Sequence, residues 1–79
     1  MIIDIRNRGE YLLGHIDNAI NIEKNTLLSN YGKYLNKSDT YYIYCNSGIS
    51  SKRVVEYLNS LGYNTVNIDG GYNKLKSLK

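Results

Sequence analysis

The strongest constraint on this chain is a strand, a small-residue loop and an amphipathic helix in direct succession. Tyr41-Tyr42-Ile43-Tyr44 has the aromatic and β-branched composition of a buried strand. Val54, Val55, Tyr57, Leu58 and Leu61 recur at the spacing of one helical face. Between them runs Cys45-Asn46-Ser47-Gly48-Ile49-Ser50-Ser51, opened by the only cysteine in the sequence. This is a βα unit with a thiol at the end of its strand, facing the start of its helix, and that placement suits negative charge.

The flanking sequence repeats the alternation. Met1 to Ile5 reads as a strand, Glu10 to Leu13 as a short helix stopped by Gly14, and Ala19 to Ile22 as a second strand. Leu27, Leu28, Tyr31, Tyr34 and Leu35 predict one helix from about Thr26 to Leu35. Thr65 to Ile68 reads as a last strand, and Asp69-Gly70-Gly71 as a sharp turn into a helix from Tyr72 to Leu78. Strands alternating with helices predict an α/β fold with a four-stranded, mostly parallel sheet and helices on both faces. The 79 residues read as a single domain, 1–79, with a small core.

Composition narrows the function classes. A lone cysteine allows no internal disulfide and, with no secretory signal pattern, points to a reducing, cytoplasmic setting. No apolar run approaches the roughly 20 residues of a membrane span. The net charge of +3 is mild and its basic residues are scattered apart from Lys74, Lys76 and Lys79, so no nucleic-acid stripe is present. There is no second thiol, no Cys-x-x-Cys and no cluster of histidine with cysteine, which argues against a dithiol oxidoreductase and a zinc site. No cofactor or metal is called for.

Four influences on the loop favour a thiolate at Cys45: the helix N-terminus, the amides that Gly48 can turn inward, the hydroxyls of Ser47, Ser50 and Ser51, and the cations Lys52 and Arg53. The alternative, a buried inert cysteine, predicts apolar neighbours on both sides, and the loop side has none but Ile49. Phosphatase chemistry needs Cys-x5-Arg, yet the sixth residue after Cys45 is Ser51. Arg53 comes two positions late, turned by roughly 200° on a helix. Sulfur transfer through a persulfide needs neither a phosphate clamp nor a built-in base.

Ile3-Asp4-Ile5-Arg6, Glu10-Tyr11 before Gly14-His15-Ile16, Ala19 to Ile22, the loop Cys45 to Ser51, Leu61-Gly62-Tyr63 and Asp69-Gly70-Gly71 together resemble a single-domain rhodanese, a sulfurtransferase. The resemblance covers nearly the whole chain. It implies a three-layer rhodanese-like fold and a ping-pong reaction. In that reaction Cys45 takes sulfane sulfur from a thiosulfate-like anion and passes it to cyanide, a thiol or a sulfur-acceptor protein. It implies a binding loop of Asn46, Ser47, Gly48, Ile49, Ser50 and Ser51, and a spatial strand order of second, first, third, fourth.

The sequence departs from the family pattern at three places. Arginine commonly stands where this chain has Ser50, although some active single-domain members resemble Ser50-Ser51-Lys52. Leu75 takes a position often held by tryptophan. The edge strand and helix that usually precede the Asp-x-Arg strand have no counterpart here, so the Thr65–Ile68 edge is expected to be unpaired and covered by a second copy, or else a source of low stability. Two other functions stay open. One is a regulatory or docking module with little turnover; the other, weaker, is a thiol phosphatase or arsenate reductase.

Arg6 has two readings, attraction of the anionic donor or a pair with Asp4 or Glu10 that braces the first loop, and the second weighs more. Asp4 reads as a loop-capping acceptor and His15 as a hydrogen-bonded packing residue. Lys52 and Arg53 sit where cations oppose the helix dipole, which raises their weight as anion attractors. The tyrosines of 41–44 are expected to be covered on both faces of an inner strand.

Overall fold

The computed structural model describes residues 1–77. In chain order the elements are β1 (Ile2–Asp4), α1 (Arg8–Leu13), β2 (Ala19–Asn21), α2 (Lys24–Ser29), α3 (Tyr31–Tyr34), β3 (Thr40–Tyr44), α4 (Ile49–Ser60), β4 (Asn64–Asn67) and α5 (Gly71–Ser77). The four strands form one sheet in the order β2-β1-β3-β4, and every pairing is parallel. This is the α/β architecture and the strand order expected. The expected end of the last helix at Leu78 lies outside the described residues.

One sheet face carries the core. Ile3, Ile5, Tyr41 and Ile43 pack with Leu27 of α2, Leu35 and the Val54, Val55 and Leu58 stripe of α4. That stripe follows i, i+1, i+4 spacing, so one helix face is buried while Lys52, Arg53 and Glu56 remain in solvent. The opposite face is polar at its carboxyl end, where Asp4 and Tyr44 are fully buried beneath Arg6 and Tyr72 of α5.

Two expectations are corrected. The predicted helix from Thr26 to Leu35 is two short helices, broken at Asn30, whose φ and ψ are −139° and 33°. Asn30 donates its side-chain Nδ2 to the Thr26 carbonyl, a local bond that competes with the helical ladder. The tyrosines of β3 are also unequal. Tyr41 and Tyr44 are buried, but Tyr42 is 45% exposed, with no element among the described residues over that part of its face. Val66 shares the bare patch, and among the described residues β4 is an edge strand with no pairing on its outer side. The expectation for that edge therefore holds for its pairing.

Candidate active site

The site is built where β3 hands over to α4. Helix α4 is capped by Gly48, which has no side chain to satisfy the first-turn amides. Cys45 supplies the missing acceptor: its Sγ receives the Gly48 amide at 3.2 Å and the Ser51 amide at 3.3 Å. The sulfur thus occupies the place of a capping oxygen, at the positive end of a 12-residue helix. Gly48 has φ +87°, and a Cβ there would lie 2.8 Å from the Gly70 amide nitrogen, so the loop tolerates only glycine at this point.

The turn before α5 sets the direction of the loop peptides. Tyr72 and Asn73 donate their amides to the carbonyls of Cys45 and Asn46, each at 2.9 Å. A trans peptide places its C=O and the following N–H on opposite sides. Drawing the Asn46 carbonyl outward therefore turns the Ser47 amide inward, toward the sulfur.

Ser51 is fully buried and contacts the sulfur through its hydroxyl, at 3.3 Å. As a thiol, Cys45 donates to Ser51 Oγ, which donates in turn to Asn67 Oδ1 at 2.6 Å. A hydroxyl has one hydrogen, so ionisation of Cys45 lets Ser51 give it to the sulfur instead. Asn67 is held by donating Nδ2 to the Gly48 carbonyl and to Asp69. Burial pushes the Cys45 thiol up, but the Ser51 hydroxyl and the Ser51, Gly48 and Ser47 amides outweigh it, and the net shift is downward. The stability drawn from the thiolate is complete above the unfolded thiol value and is lost as the pH falls through the lower folded value. The rate of Cys45 alkylation by iodoacetamide against pH is expected to show a midpoint below the ordinary thiol value of 9.0. Ser51→Ala is expected to move that midpoint upward; an unmoved midpoint would leave the hydroxyl without a role.

Of the residues read as a binding loop, Ser47, Gly48 and Ser51 turn toward the sulfur. Asn46 points its side chain the other way, donating to Glu10 at 2.7 Å and accepting from Arg6 at 3.2 Å. Ile49 is 67% exposed. Ser50 and Arg53 line a groove beside the loop. Lys52 is exposed and contributes its amide to the first helical turn. Asn67 escaped the sequence reading, although a polar residue on the helix-facing side of β4, where a core strand places apolar ones, was a signal for it.

Arg6 is paired with Asp4, one of the two partners named by its heavier, bracing reading. It is 6% exposed, and its guanidinium is bound to Asp4, at 2.8–3.1 Å, and to Asn46 Oδ1, with a 2.6 Å bond to the Gly14 carbonyl. It also lies 4.3 Å from the Tyr72 ring centroid. All three guanidinium nitrogens are committed, so what Arg6 does for the site is to hold Asn46. Asp4 caps the loop by accepting the Arg6 amide, and His15 stacks on Tyr11 with Nδ1 at 2.8 Å from the Tyr11 carbonyl. Both match their expected structural roles. Tyr44 donates its hydroxyl to Asp4 and accepts the Ile16 amide, and its ionisation is pushed far up by burial and by Asp4.

A strand-end cysteine cradled by helix-capping amides, on a parallel sheet in this order, defines the class of protein. The Rhodanese-like domain family matches residues 1–78, and the chain belongs to that family. YtwF of Bacillus subtilis (strain 168) is 34% identical over 70 residues, which cover 89% of this chain and 67% of YtwF. The adenylyltransferase and sulfurtransferase uba4 of Ogataea parapolymorpha is 34% identical over 71 residues, 89% of this chain but 18% of uba4. SSP1007 of Staphylococcus saprophyticus superposes with a TM-score of 0.86 at 40% identity, covering 92% of this chain and 72% of SSP1007.

Proposed function

We propose that the protein is a sulfurtransferase that carries sulfane sulfur as a persulfide on Cys45. The observation that carries this reading is the capping of α4 by Sγ, with two backbone amides aimed at it at 3.2 and 3.3 Å. Membership of the rhodanese-like family and the sulfurtransferase name of uba4 support it.

In the first half-reaction the Cys45 thiolate attacks the outer sulfur of a thiosulfate-like donor. The donor S–S bond breaks, its electron pair leaves on sulfite, and a Cys45 Sγ–S bond forms. The persulfide keeps one negative charge, and the inward amides of the loop are the donors available to it. In the second half-reaction cyanide or a thiolate attacks the outer sulfur and Sγ departs as the thiolate, which restores the resting site. No guanidinium is needed for either step, in keeping with serine at positions 50 and 51.

Mass spectrometry after thiosulfate treatment is expected to show one added sulfur, removed by cyanide and absent in Cys45→Ser. An unmodified wild-type protein would refute the proposal.

A further inference from the structure

A groove of about 510 Å³ lies against the outer side of the site loop, where Ser47 and Ser50 form part of its wall. Its size falls in the range of roughly 300–1,000 Å³ typical of small-molecule sites. Leu28, Ile49, Val54 and Tyr57 give it an apolar lining, and Lys24 and Arg53 stand in the same lining. No acidic residue lines it, and among the described residues neither cation is in an ion pair. Ile49 is 67% exposed and Tyr57 48% exposed, so folding alone leaves an apolar surface beside the catalytic loop.

We propose that this groove binds the sulfur acceptor, a small thiol with an apolar body and a carboxylate. The proposal rests on the sulfurtransferase reading of Cys45. Two features choose the acceptor over the donor. A thiosulfate-like dianion has no apolar part for Leu28, Ile49 and Tyr57 to contact. Two unpaired cations over apolar walls complement a molecule that is apolar along its body and anionic at one end. With the body in the groove, the acceptor sulfur attacks the outer sulfur of the Cys45 persulfide. The Cys45 S–S bond breaks with its electron pair on Sγ, a new S–S bond forms, and the acceptor's proton ends on the transferred sulfur.

The test uses mercaptohexanoate and mercaptohexanol, which share the thiol and the alkyl body and end in a carboxylate and a neutral hydroxyl respectively. Protein loaded with one sulfur is mixed with each, and loss of the added mass is timed. Because discharge is followed from the loaded form, differences in loading do not enter. Wild type is expected to discharge to the carboxylate about tenfold faster, the size of two exposed charge contacts. The K24Q/R53Q variant is expected to lose that preference. Equal rates in wild type, or a preference that survives in K24Q/R53Q, would overturn the proposal. Failure of the persulfide to form is a separate result that sinks the Cys45 reading. The groove is then tested in Cys45→Ser by NMR, where mercaptohexanoate is expected to shift the Ile49 and Val54 methyl resonances more than mercaptohexanol does. Absent shifts, or shifts that follow protein concentration and assign the groove to a second copy, would also overturn it.

Discussion

Asp4→Ala is expected to lower the folding stability by about 3–5 kcal/mol, the cost of breaking a buried ion pair by removing one partner. Asp4 is fully buried, and its carboxylate accepts the Arg6 amide at 2.9 Å, the Arg6 guanidinium at 2.8–3.1 Å and the Tyr44 hydroxyl at 2.7 Å. Its removal leaves a guanidinium beneath the surface without its bonded counter-charge, with only the more distant Glu10 acting on it, and takes an acceptor from a buried phenol. The effect is large against the whole. A chain of 79 residues, at roughly 0.05–0.15 kcal/mol each, holds only about 4–12 kcal/mol in total. Urea denaturation followed by circular dichroism measures the loss. The double variant Asp4→Leu with Arg6→Met is expected to recover part of it, because no charge is then stranded. The recovery is incomplete because the Gly14 carbonyl and Asn46 Oδ1 lose their donor. A single-variant loss under about 1 kcal/mol, the size of an exposed pair, would contradict the buried pair as described.

Gly71→Ala is expected to damage stability and thiol reactivity together. Gly71 has φ +57°, which costs an alanine about 1–3 kcal/mol in strained backbone alone. The added Cβ would also collide with the carbonyl oxygens of Cys45 and Asn46. Those are the carbonyls that Tyr72 and Asn73 hold at 2.9 Å, and they orient the loop. Displacing them turns the Ser47 amide away from the sulfur, so the thiol value rises and Cys45 alkylation near neutral pH slows. Gly9→Ala is the control. Gly9 lies in α1, and a Cβ there meets only Asn7 Oδ1 at 3.5 Å, so the change is expected to be neutral or slightly stabilising. Full reactivity in Gly71→Ala would show that the α5 turn does not position the loop.

Local chemistry made much of this molecule legible in advance. The β-branched and aromatic run at 41–44 and the Val54, Val55, Leu58 spacing are short-range signals, and they marked β3, α4 and the thiol between them. Where local preference and tertiary demand diverged, expectation failed. The Leu27 to Leu35 spacing is helical, yet the Asn30 side chain closes its own bond to Thr26 and divides the segment. Tyr42 has the composition of a covered strand residue, but its exposure depends on whether any helix reaches that part of the sheet.

The sequence by itself determined the order of elements, the parallel α/β class and a single thiol at the carboxyl end of a strand, because periodicity and turn chemistry act between near neighbours; that this strand is an inner one came from the family resemblance. Only the tertiary structure decided which groups reach that thiol and which do not. The Ser51–Asn67 link spans 16 residues, the Tyr72–Cys45 bond joins two elements apart in the chain, and Arg6 meets Asn46 across 40. Such contacts are set by strand order and by how α5 docks on the loop, and neither leaves a local pattern. That is why Arg6, for which the sequence offered both bracing and anion attraction, is buried against Asp4 and Asn46, while Arg53 lines a groove beside the site loop.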